Sequence, residues 1–141
     1  MDITGISAVT LLIADMSRSC DFYSRLPGLV LIYGGCTNDA FTTFKVGEIE
    51  PNMYINLELA LSKTSGEEHL KSVKRATRII FHTSDVDKLY LHMRNSKKIS
   101  KLISFENEPI DAKWGERYFH VLDPDGYQLA FATPLIGRFH S

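Results

Sequence analysis

The chain has 141 residues and a mass of 16.0 kDa, and 44% of its residues are hydrophobic, enough for one domain with a real core or two small, closely packed modules. Sixteen basic residues against seventeen acidic ones leave a formal charge of −1, so no global field recruits nucleic acid or an anionic membrane surface. No apolar run approaches the roughly 20 residues of a membrane span, and the start Met1-Asp2-Ile3-Thr4-Gly5 lacks the basic and apolar regions of a signal peptide, so a cytoplasmic protein is expected. Cys20 and Cys36 lack metal-site spacing and read as free thiols in a reducing compartment.

Ile6–Ile13 is apolar on both faces and predicts a central strand buried on both sides. Asp15 then offers a carboxylate to cap a helix, whose apolar stripe runs Met16, Cys20, Tyr23 and Pro27 before Pro27-Gly28 ends it. Three strand-like runs follow, Leu29–Tyr33, Ala40–Val46 and Met53–Leu61, separated by turn-rich stretches. Residues 62–76 are polar and charged without strong periodicity, which marks a linker.

After the linker the pattern restarts. Arg78–Thr83 predicts a strand, Asp85 a cap, and Val86, Leu89, Tyr90 and Met93 the stripe of an amphipathic helix. The basic cluster Lys97, Lys98 and Lys101 reads as that helix's solvated end, and residues 102–106 as a short strand. The chain closes on a hairpin: strands at 116–122 and 127–133 flank Asp123-Pro124-Asp125-Gly126, where proline presets φ and glycine accepts a positive φ. The segment Ala8 to Asp15 matches Arg78 to Asp85 at an offset of 70, and Asn56–Ala60 matches Gln128–Ala132 at 72, so an internally duplicated β-α-β-β-β unit accounts for the order of elements.

Asp15-Met16-x-Arg18-Ser19-x-x-Phe22-Tyr23 with Gly28-Leu29, Asp85-Val86-Asp87-x-Leu89-Tyr90, and Trp114-Gly115-x-Arg117 before Asp123-Pro124-Asp125-Gly126 together resemble the vicinal oxygen chelate superfamily, the group of glyoxalase I, bleomycin-resistance proteins and extradiol dioxygenases. The resemblance covers nearly the whole chain. It implies an α+β fold of two βαβββ modules, about 4–61 and about 77–135, forming a curved mixed sheet around a cavity with the helices on the outer face. It also implies a homodimer. Metal-dependent relatives hold one divalent ion with four side chains, from the first and last strand of each module, and those places fall here on Ala8, Glu58, Arg78 and Ala130. Alanine has no lone pair to give and a guanidinium stays cationic, so no metal and no cofactor are expected there. Two readings stand for Arg78, an ion pair with Glu58 in place of the metal and a solvent-facing arginine at a strand start.

Strand alternation supplies the other candidates. The parity of Glu58 brings Asn56 and Ala60 to the inner face. That of the fifth strand brings Arg78, Ile80 and His82, and that of the last Gln128, Ala130 and Ala132. The hairpin adds Trp114, Glu116, Tyr118 and His120, with Arg117 on the opposite parity as a structural partner for a carboxylate or carbonyl. Aromatic walls with a few polar groups suit a small organic ligand. His120 is the candidate acid or base, with Glu58 or Glu116 to orient it, while His69, His92 and His140 receive no role. The favoured reading is therefore a metal-free small-molecule binding protein of the bleomycin-resistance type. The alternatives are a lyase or isomerase using His120 and Glu58, or a divalent-metal enzyme of the glyoxalase kind.

Overall fold

The computed structural model describes residues 1–35, 37–60 and 77–135, so Cys36, the expected linker at 62–76, His69 and His140 lie outside the described residues. The chain divides into two compact units, Met1–Ser65 and Gly66–Ser141. Each is an α+β unit built on one mixed sheet.

The first unit runs β1 (Ala8–Ile13), α1 (Met16–Ser24), β2 (Leu29–Tyr33), β3 (Phe41–Val46) and β4 (Met53–Leu59), with strand order β1-β4-β3-β2. β1 lies parallel to β4, and β3 pairs antiparallel with both β4 and β2. α1 begins where Asp15 accepts the Arg18 backbone N–H at 3.0 Å. Its apolar stripe packs Met16, Cys20, Phe22 and Tyr23 on the sheet side that carries Leu11, Ile13, Phe44, Ile55 and Leu57, all buried. The stripe closes on Leu26, 3% exposed, whereas Pro27 is exposed. That corrects the predicted stripe by one position: the last helical contact is made by the side chain that still points inward at the turn, and the ring of Pro27 turns outward.

A larger correction concerns β1. Within its own sheet it is an edge strand, paired among the described residues only with β4, and Thr10 and Leu12 are exposed. The continuous apolar run suggested burial on both faces, but only the Leu11 and Ile13 side meets the helix.

The second unit runs β5 (Arg78–His82), α2 (Val86–Asn95), α3 (Lys97–Ser100), β6 (Ser104–Phe105), β7 (Ile110–Asp111), β8 (Glu116–Leu122) and β9 (Gln128–Pro134). Its sheet has the order β5-β9-β8-β6, with β7 also on β8; β5 and β9 are parallel and the other pairs antiparallel. Asp85 caps α2 by accepting the Lys88 N–H at 3.0 Å. The basic cluster does not end α2: Ser96 caps a separate turn of helix that buries Ile99. The expected short strand at 102–106 is β6, two residues long and laid on β8, and β7 is a second short piece on β8 that was not expected.

The core of this unit is aromatic. Phe119 stacks on Phe131 at 5.2 Å between centroids, Phe131 on Phe81 at 5.4 Å, and Tyr90 of α2 meets Phe119 edge-on at 5.2 Å. Arg117 lies on this helix-facing parity and ties three elements. It donates from Nε and Nη2 to Asp87 at the start of α2 and from Nη1 to Asp111 of β7, all near 3.0 Å. These hydrogen bonds raise its pKa above the ordinary value, first through Asp87 and then through Asp111. No helix among the described residues is long and apolar enough to cross a membrane.

Candidate functional site

Because α2 covers the Phe119 and Phe131 side of the second sheet, alternation presents the other side chains on the face turned away from it. The register sets them in rows. Arg78, Gln128 and Leu122 stand level; next come Ile80, Ala130 and His120; then His82, Ala132 and Tyr118; and finally Pro134 beside Glu116. Of the inner-face set predicted for this module, Arg78, His82, Glu116, Tyr118, His120 and Gln128 are thus brought together on one sheet, and Trp114 lies in the turn that enters β8.

Along β8 the aromatic groups form a run. Trp114 stacks on Tyr118 at 5.7 Å with 25° between planes, and Tyr118 meets His120 at 4.8 Å. Trp114 is 63% exposed, so a large apolar ring is presented to whatever occupies this face. Its indole Nε1–H donates to Glu116 Oε1 at 3.0 Å, and His82 Nε2 lies 3.4 Å from Glu116 Oε2. The buried Glu116 carboxylate therefore fixes the tryptophan ring and stands beside an exposed imidazole.

The opposite end is polar. Arg78 Nε donates to Gln128 Oε1 at 2.6 Å, and Gln128 Nε2 donates to Glu106 Oε1 at 2.8 Å. The amide can lie only this way round, since a guanidinium only donates and an ionised carboxylate only accepts. Glu106 was not among the predicted residues. The signal for it was the parity of residues 102–106: once β6 is paired antiparallel with β8, Glu106 falls level with His120, to whose carbonyl its backbone N–H donates at 2.9 Å.

His120 is half-buried, its ring against Tyr118 and its backbone N–H donated to Asn107 Oδ1 at 2.9 Å. Its pKa is pushed below the ordinary value, by burial first and then by the Arg78 charge, against an opposing pull from Glu106. At neutral pH the ring is uncharged and can either donate or accept a hydrogen bond.

The first unit carries the other predicted residues, Asn56 and Glu58. Asn56 sits between two threonines that were not foreseen: Thr43 Oγ1 donates to Asn56 Oδ1 at 2.8 Å, and Asn56 Nδ2 donates to Thr10 Oγ1 at 3.2 Å. The three residues are level across β1, β4 and β3, so Asn56 is a cross-strand tie. Glu58 is exposed, level with Leu12 and Phe41. Arg78 has Gln128 as its partner within its own unit.

The donor set does not fit the divalent ion that some relatives of such folds carry. Ala8 and Ala130 offer no lone pair, Arg78 only donates, and the groups level with Glu58 are hydrocarbon. No cluster of three or more His, Cys, Asp or Glu side chains suited to a metal occurs among the described residues.

The family model for the glyoxalase/bleomycin resistance protein/dioxygenase superfamily matches residues 5–131. The chain belongs to that superfamily. Solved structures show the superfamily's fold over nearly the whole length: a glyoxalase-related enzyme from Fulvimarina pelagi, 15% identical, with TM-score 0.64 over 93% of this chain and 88% of that one; a superfamily enzyme from Burkholderia phytofirmans, 15% identical, with TM-score 0.65 over 92% and 98%; and a protein of unknown function from Agrobacterium tumefaciens, 20% identical, with TM-score 0.68 over 96% and 98%. At these identities the likeness speaks for the fold alone. No curated protein sequence matches this chain significantly. Membership of the superfamily leaves the chemistry open, since one fold hosts many functions.

Proposed function

We propose that this superfamily member is a metal-free small-molecule binding protein whose ligand lies on the helix-free face of the second sheet. The observation that carries the reading is the run Trp114–Tyr118–His120, in which Trp114 stacks on Tyr118 and His120 meets Tyr118 at a tilt, partly exposed and bordered by hydrogen-bonded polar groups. Aromatic rings fixed by neighbours stack on a ligand at low cost in entropy, and Glu116 provides that fixing for Trp114. A lyase or isomerase role for His120 needs a group to orient its imidazole. Here the ring packs against Tyr118 at a tilt, and Glu116 is engaged by Trp114 and His82, so binding is the better-supported role.

Thermal shift against a panel of aromatic antibiotics, thiol adducts and phosphonates tests the proposal, because a ligand that prefers the folded state raises its melting temperature by mass action. A ligand at about 100 times its Kd stabilises the protein by about 2.7 kcal/mol, and Tyr118→Ala should remove most of the shift. Shifts that survive both Tyr118→Ala and Trp114→Ala unchanged would place binding elsewhere.

A further inference from the structure

We propose that the ligand is a flat aromatic carboxylate, its ring over Tyr118 and His120 and its anion on the guanidinium of Arg78. This inference rests on the binding face proposed above and names the class of molecule that face selects.

Three features carry it. The first is how Arg78 is held. Nε is committed to Gln128 Oε1, and Gln128 is committed in turn to Glu106, so the plane of the guanidinium is fixed by a relay of two hydrogen bonds. Arg78 is exposed, and among the described residues its Nη1 and Nη2 have no hydrogen-bond partner. Two terminal N–H groups in a fixed plane match the two oxygens of a carboxylate in a parallel fork.

The second feature is polarity along the face. The Arg78 end presents a guanidinium on its unspent side and keeps its own carboxylate, Glu106, behind Gln128, whereas the Trp114 end carries the buried Glu116 carboxylate next to His82. An anionic group is therefore directed to Arg78 and repelled from Trp114, which gives the ligand one orientation. The neutral His120 between them adds no competing charge, so the ring portion meets an uncharged surface.

The third is reach. Two residues along a strand span about 7 Å, the step from the Gln128 level to the His120 level. At the two levels beyond Gln128 the middle strand contributes only Ala130 and Ala132. Neither alanine rises between the β5 side chains and the β8 rings, and both are buried, at 3% and 2% exposure, so a ligand rests on the flanking side chains rather than on β9 itself. A molecule of one or two fused rings over His120 and Tyr118 thus keeps its carboxylate within reach of the Arg78 side chain.

The test compares naphthoate with naphthamide, which share a ring system and differ in charge, by isothermal titration calorimetry on the full chain. Naphthoate should bind at least about tenfold more tightly, since each tenfold step in affinity is a difference that one charge-assisted fork supplies. Arg78→Met should bring naphthoate down to the affinity of the amide and leave the amide unchanged. Arg78→Lys, which keeps the charge and loses the fork, should fall between. Melting temperatures of the variants confirm that each is folded. Equal affinity of the two probes for the native protein, or a carboxylate preference that survives Arg78→Met, overturns the ligand class and leaves the binding face standing. Failure of both probes to bind the folded native protein overturns the ligand class, and the binding face is then decided by whether Tyr118→Ala removes the thermal shifts seen with the wider panel.

Discussion

His120 shows how one residue's environment sets its behaviour. Burial and the Arg78 charge both disfavour the imidazolium, and Glu106 offsets them only in part, so the folded-state pKa lies below the value of about 6.5 that the unfolded chain keeps. Between the two values the unfolded state holds more protons than the folded state. The contribution of His120 to stability is therefore complete above the unfolded pKa and is lost as pH falls through the folded one. Replacing His120 with Gln should remove this component, so the gap in melting temperature between the native protein and His120→Gln should change between about pH 7 and about pH 5, the native protein losing more on acidification. A gap that stays constant across that range would show that the ring does not titrate as its surroundings dictate. The inward parity of His120 was legible in the sequence because β8 alternates cleanly. Its neighbours were not, since Glu106 and Asn107 reach it from a segment whose pairing no periodicity announces.

At the scale of elements, the closing hairpin was the most legible part of the chain because its turn is chemically determined. Pro124 fits the second turn position, and Gly126 takes φ +94°, with its backbone N–H donated to Asp123 O at 3.0 Å. Asp123, 4% exposed, accepts the backbone N–H groups of Asp125 and Tyr127 at 2.9 Å each. Asp123→Ala leaves those donors without their acceptor and should cost about 1–3 kcal/mol, whereas Asp123→Asn, which keeps an oxygen in place, should cost less. A Cβ on Gly126 would meet nothing within 4 Å. Gly126→Ala should therefore cost only the backbone term, about 1–2 kcal/mol. Urea unfolding measures all three, and a neutral Gly126→Ala would contradict the assigned turn. β1 was misread as central for a physical reason: strand propensity and hydrophobicity do not reveal how many neighbours a strand has. Likewise Ser96 divides α2 from α3 with its own cap, which a continuous charged segment conceals.

At the scale of the molecule, the repeat at offsets of 70 and 72 reported the architecture before any element was placed, and each half has the mixed sheet it implied. Superfamily membership follows from the match over residues 5–131, and the four places at which the resemblance puts a metal-dependent relative's donors hold two alanines, an arginine and a glutamate here. What the face of the second sheet does offer is a run of contacting aromatic rings, Trp114, Tyr118 and His120, with a fixed cation at its far end. The most direct test of that account uses the chain's single tryptophan. Its indole N–H, donated to Glu116, gives one resonance in a proton–nitrogen correlation spectrum. On titration with a ligand that raises the melting temperature, that resonance should shift saturably, with the same Kd as the thermal or calorimetric signal. A ligand that stabilises the protein while leaving the Trp114 resonance unmoved would contradict the claim that this face is the binding site.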